Sequence, residues 1–224
     1  MLFCYLHTQN LVGMHRPLLN ILLALLMIAT LATDAHARNI SDFFLSENCN
    51  AMKTLPIQRR ADMIAYFEAG QNVTMTNYVD GTDSLISLSN DYLLIATGSI
   101  SKVEMAMLVS KNDTTLLVIT TLKIPQLDSR IEAFNTLWQP IDINKVINTP
   151  SIDDFISIPK GSKVKTEDIS GQIRFAPISM TYNPDSHTVT ATQHLDELLG
   201  EELFESLAPF LLKSISLKIR LKLL

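Results

Sequence analysis

The sequence predicts an α+β fold: N-terminal helices, an antiparallel β meander, then a hairpin–helix–strand unit packed on the same sheet. Three observations lead there. Apolar residues recur at helical spacing up to Gly70, the period falls to two from Asn72 onward, and the short runs that follow are punctuated by turn residues. Neighbours joined by tight turns pair antiparallel, so a parallel nucleotide-binding sheet is not expected.

The elements follow in order. Ser41 is the expected cap of a helix over DFFLSENCNAM. Pro56 then opens PIQRRADMIAYFEAG, where Ile57, Ala61, Ile64 and Phe67 make an apolar stripe and Arg59 and Arg60 read as its solvated side. NVTMTNYV, DSLISLS, YLLIATG, KVEMAMLVS, TTLLVITTLKI and SRIEAFNT are six β runs, divided by Asp80-Gly81, Asn90-Asp91, Gly98 and Lys111-Asn112-Asp113. In the fifth run Leu116, Val118 and Leu122 share one face and Leu117 and Ile119 the other, which marks a central strand covered on both sides. Ser151 is placed to cap a helical turn, and KVKTED is a polar linker, with a sub-unit boundary expected near 159–170. A hairpin follows around Asn183-Pro184-Asp185-Ser186, then a helix from about Leu195 to Leu212 that Pro209 bends or ends. The tail SISLKIRLKLL alternates strictly and predicts a half-buried edge strand with lysines outward.

The start of the chain has a different character. His15 and Arg16 precede the apolar run Leu18 to Ala32, and Ala35-His36-Ala37 supplies the small residues a signal peptidase needs. This is the layout of a secretory leader over residues 1–37, cleaved after Ala37, with Met14 as an alternative start. The run is shorter than the roughly 20 apolar residues of a spanning helix. An exported protein in the periplasm, associated with the outer membrane or secreted, is the expectation, with 38–224 as a single domain. Cys4 falls in the leader and Cys49 stands alone after it, so no internal disulfide is expected and Cys49 reads as buried and inert. The formal net charge is −5, with no basic block before the last ten residues, which argues against nucleic acid.

Candidate chemistry is sparse. DSRIEAFNTLWQP puts Asp128, Arg130 and Glu132 on one strand face. An arginine between two carboxylates lowers their pKa values, whereas a general acid needs a raised one, so the stretch reads as a polar sheet face. Ligand capture by Arg130 beside Asp128 remains open, with Trp138 as an aromatic platform. His194 and Glu197, at i and i+3 on a helix start, could share a metal with His187, seven residues before His194. No G-x-S-x-G elbow, EF-hand or Gly-rich phosphate loop is present, and no cofactor is expected.

DYLLIA, LDSRIEAFNTLWQPI, the PSIDDFI turn and YNPDSHTVTATQHLDELL occur in that order behind the leader. In this the chain resembles a family of exported Bacteroidetes proteins described only as a domain of unknown function. The resemblance spans nearly all of the chain after the leader. It implies export and a single domain, and carries no activity or site. It also implies O-glycosylation at Asp-Ser/Thr followed by an aliphatic residue or Thr, which Ser84 and Thr114 match. A binding or interaction module is therefore the leading expectation, its partner an envelope protein or a glycan. A hydrolase or metal-dependent enzyme using His187, His194 and Glu197 is the alternative. A third possibility is self-association through the Ser214 to Leu224 strand.

Overall fold

The computed structural model describes residues 38–77, 81–111 and 113–221. The expected leader lies outside them, as do Asp80 and Asn112 of two expected turns and the last three residues of the tail. Asn39–Leu224 form one compact unit. Among the described residues no helix is long and apolar enough to cross a membrane.

The first helix, α1 (Ile40–Phe44), is capped two residues earlier than the sequence suggests. Asn39, not Ser41, is the cap: its Oδ1 accepts from the Asp42 N–H, and its own N–H donates to Asp42 Oδ2. A 3-10 turn at Asn50–Met52 replaces the rest of the expected helix. Helix α2 (Ile57–Glu68) opens behind Pro56 and stops at Gly70, whose φ of 71° only glycine adopts without strain. Its buried face is Arg60, Met63 and Ile64, with Phe67 partly covered, rather than the stripe beginning at Ile57. Arg60 is 4% exposed and donates to the carbonyls of Phe44 and Ser46, so this arginine is interior and not solvated as expected.

The six β runs appear where the alternation places them: β1 (Thr74–Thr76), β2 (Thr82–Leu88), β3 (Tyr92–Thr97), β4 (Ser101–Val109), β5 (Thr114–Lys123) and β6 (Leu127–Phe134). With the two-residue β7 (Pro140–Ile141) they form a seven-stranded antiparallel meander in sequence order. One face, with Val103, Met105, Leu116 and Val118, packs on α1, α2 and the Asn50–Met52 turn. Ala106, Leu108, Leu117 and Ile119 face the other way. Strand β5 is thus covered on both sides.

Beyond the meander, Ser151 caps a 3-10 turn at Ile152–Phe155 and α3 spans Thr166–Ser170. The hairpin is β8 (Ile178–Asn183) and β9 (Thr188–Gln193), and the tail supplies β10 (Ser214–Lys218). These make a sheet of their own, β10-β9-β8, which packs face-on against the meander through Met180, Tyr182, Val189, Ala191, Ile215 and Leu217. The helix expected from Leu195 to Leu212 is broken into a 3-10 turn at Leu195–Glu197, α4 (Glu201–Leu207) and a second 3-10 turn at Ala208–Phe210. Gly200 caps α4 and Pro209 prevents its continuation.

The outward edge of β8 ends on side chains of the larger sheet. The N–H groups of Ile178, Met180 and Tyr182 donate to Asp128 Oδ1, Ser129 Oγ and Glu104 Oε2 at 3.0, 2.8 and 2.9 Å. Glu104, 1% exposed, also accepts from the Tyr92 hydroxyl at 3.1 Å and from Lys102 Nζ at 2.8 Å. Burial pushes the Tyr182 hydroxyl up to about 12, and burial followed by the Glu104 charge raises Tyr92 further. Both ionise near 10 in an unfolded chain. The folded state keeps the proton longer, so this contribution is complete below pH 10 and is lost as pH rises through about 12 at Tyr182. Alkaline titration of urea stability is expected to show a fall beginning near pH 10, shallower in Tyr182→Phe.

Candidate functional site

The stretch Asp128–Glu132 lies along an open cleft of about 710 Å³ on the helix-covered face of the meander. Antiparallel register sets its floor: Val118 faces Glu132, Thr120 faces Arg130, and Leu122 faces Asp128. Phe134 closes one end, Ile124 and Gln126 of the β5–β6 turn the other, and Asn50, Ala51 and Lys53 form the opposite wall. The outer edge of β6 meets β7 only at Ala133 and Phe134. Leu122 and Ile124 are 44% and 67% exposed, a large apolar surface left to water beside polar groups.

The two acids flanking Arg130 play different parts. Asp128 Oδ1 accepts the Ile178 N–H and so ties the two sheets, while Glu132 Oε1 lies 2.6 Å from Arg130 Nη2. The Arg130 side chain is 76% exposed, and an ion pair of that kind is worth about 0–1 kcal/mol, so an incoming acceptor displaces it cheaply. The polar strand face expected here is thus one wall of a cleft that can take a ligand with an apolar side and a hydrogen-bonding rim. Trp138 stands behind it. It is 6% exposed, its ring lies 5.4 Å from that of Phe134, and it adopts φ 61° in a turn held by Asn135. Trp138 backs Phe134 and is not a lining residue of the cleft.

The histidines do not converge. His187 precedes β9 and His194 follows it, so a six-residue strand, roughly 20 Å at 3.3 Å per residue, separates them. His187 Nδ1 pairs with the Tyr182 hydroxyl at 2.7 Å. His194 and Glu197 do meet, with Nδ1 3.5 Å from Oε1. Among the described residues no three His, Cys, Asp or Glu side chains gather as a metal site. The length of β9 keeps His187 apart from His194 and Glu197. Ser84 sits inside paired β2, its hydroxyl 2.9 Å from that of Thr74, and the preceding Asp83 is fully buried. Thr114 is partly exposed at the first residue of β5. Cys49 is buried and free, and burial raises its thiol to about 11 despite the nearby Arg60 charge.

Sequence reasoning missed Asn50, Lys53, Gln126 and Phe134 of the cleft. Phe134 continues the Arg130–Glu132 alternation and was legible. The Asn50–Lys53 wall was not, because only the tertiary packing of the 3-10 turn brings it there.

A seven-stranded meander, covered by helices on one face and by a small second sheet on the other, with an open amphiphilic cleft, defines an α+β protein. The chain belongs to the family described as Protein of unknown function (DUF3256), whose model matches residues 32–220. This bears out the resemblance to a Bacteroidetes family of unknown function. Among solved structures it is similar to a domain of an uncharacterized protein from Porphyromonas gingivalis W83, at 21% identity and a TM-score of 0.69, covering 83% of this chain and 98% of that one. At that identity the likeness speaks for the fold. No curated protein matches the chain.

Proposed function

We propose that the protein is an exported, envelope-associated binding module that takes its ligand in the cleft between the β5–β6 hairpin and the Asn50–Met52 turn. Export is supported by the leader pattern of residues 1–37. The observation that carries the binding reading is the composition of the cleft. Val118, Leu122, Ile124 and Phe134 offer an apolar surface, while Asn50, Thr120, Gln126 and Arg130 offer hydrogen bonds at its rim. Lys53 and Arg130 are matched there by Asp128 and Glu132, so the lining carries no net charge and favours a neutral ligand. A glycan, with apolar ring faces and hydroxyl edges, has that chemistry.

Thermal unfolding of the 38–224 protein against a panel of glycans and peptidoglycan fragments tests this. A ligand at a hundredfold excess over its dissociation constant adds about 2.7 kcal/mol to stability. Arg130→Ala, on an exposed side chain, is expected to leave the unliganded midpoint within about 0.5 kcal/mol of wild type and to weaken the ligand-induced shift. An undiminished shift in Arg130→Ala would move the binding site elsewhere. A panel without effect would turn the search to an envelope protein.

A further inference from the structure

A second cluster adjoins one end of the cleft, where the lining residue Gln126 donates from Nε2 to the Glu197 carbonyl at 2.8 Å. His194 follows β9, and its ring reaches across the hairpin so that Nε2 lies 2.8 Å from Ser179 Oγ on β8. On the other side of the ring, Nδ1 is 3.5 Å from Glu197 Oε1. The imidazole is nearly enclosed, and its Nδ1 has no hydrogen-bond partner. Glu197, with 53% of its side chain exposed, has the rotational freedom to close that gap. A carboxylate facing Nδ1 favours the tautomer protonated there, which leaves Nε2 basic towards the serine. Hydroxyl, imidazole and carboxylate thus stand in the order a nucleophilic triad requires. Such contacts commonly tighten only when substrate binds.

We propose that Ser179, His194 and Glu197 form an acyl-transfer site that hydrolyses an O-acyl ester carried on an uncharged polyhydroxyl compound of the saccharide class. Ser179 Oγ bonds to the ester carbonyl carbon while its proton passes to His194 Nε2. Collapse of the tetrahedral oxyanion breaks the bond to the carrier oxygen, and the carrier leaves as an alcohol with the proton from Nε2. Water then adds to the acyl-serine, giving a proton to Nε2. The carboxylic acid departs as Ser179 recovers that proton. Water is the only co-reactant.

The carrier class follows from the surrounding face. Ser179, Thr192 and Ser214 form one row across the small sheet, Thr181, Thr190 and Ser216 the next, and Asn183, Thr188 and Lys218 the third. Thr192 and Ser214 hydrogen-bond each other at 2.8 Å, and one strand spacing, about 4.8 Å, separates Thr192 from Ser179. Thr192, the cross-strand neighbour of Ser179, supplies the O–H for an oxyanion at the serine, while Ser214 lies one strand further and bonds Thr192. Lys218 is the one charged residue within the three rows, and Lys102 Nζ reaches Thr181 Oγ1 from the larger sheet at 3.3 Å; a face so dominated by hydroxyls suits a polyhydroxyl carrier better than a lipid or a charged peptide.

The test is labelling of the purified protein with a fluorophosphonate, read by intact mass and peptide mapping, alongside 4-nitrophenyl acetate turnover. One adduct on Ser179 is expected, absent in Ser179→Ala and retained in Ser216→Ala. His194→Gln is expected to slow labelling by at least about a hundredfold, the lower range for loss of a general base. If Ser179→Ala fails to fold, Ser179→Cys replaces it. Its thiol is expected to alkylate rapidly with iodoacetamide while buried Cys49 does not. No adduct on the folded wild-type protein, an adduct that survives Ser179→Ala, or labelling indifferent to His194→Gln would each overturn the proposal.

Discussion

Replacing Glu104 with alanine is expected to lower stability by about 3–5 kcal/mol, the range for removing one member of a buried, hydrogen-bonded charge pair. The cost does not come from the ion pair alone, because Lys102 is one-third exposed and can turn to water. It comes from the Tyr182 N–H and the Tyr92 hydroxyl, both of which lose their acceptor in the contact between the sheets. Glu104→Gln keeps one carbonyl oxygen for the Tyr182 N–H, so about 1–2 kcal/mol is expected instead. Urea unfolding measures both, and hydrogen exchange locates the damage. Faster exchange should be confined first to β8 and its neighbours. A loss below about 1 kcal/mol in Glu104→Ala would mean that the acceptor is replaceable by water.

Arg60→Ala is expected to cost about 2–4 kcal/mol, since it leaves the carbonyls of Phe44 and Ser46 without this donor in the interior. Arg60→Met keeps an apolar stem but loses the guanidinium, which lies 5.8 Å from the Phe44 ring centroid, and restores no donor, so it should recover less than half of the loss. Cys49 provides an independent readout. Its thiol is buried and shifted upward, so iodoacetamide should not modify it in the folded wild type. Loosening of the Phe44–Ser46 segment in Arg60→Ala should expose it, and the modification rate should rise with the loss of stability. Unchanged protection of Cys49 would show that Arg60 does not hold that segment in place.

Glu104 and Arg60 also mark where reading the sequence stopped. The six strands of the meander were legible because alternation is a local property, and β5 declared both covered faces by its own composition. Arg59 and Arg60 look alike in sequence. Only the face formed by positions 60, 63, 64 and 67 decides which one enters, and that face shifts by one residue from the stripe starting at Ile57. Glu104 reads as the polar member of an alternating strand until another sheet is laid over it. Whether the last three strands would extend the meander or stack on it turned on Asp128, Ser129 and Glu104, acceptors 50 to 78 residues from their donors. His194 and Glu197 were visible as a pair. Ser179 was not, because its approach depends on the β8–β9 register.

The closure of the β8 edge has a consequence for symmetry. A sheet open at both margins can accept identical molecules head to tail without limit, and that is the geometry of a filament. Here Asp128, Ser129 and Glu104 occupy the donors of one margin, and β10 alone remains available in the small sheet. Among the described residues, two copies that join small sheet to small sheet by their edges do so β10 to β10, each contributing the same strand. Such a contact closes on a twofold axis and ends with the pair.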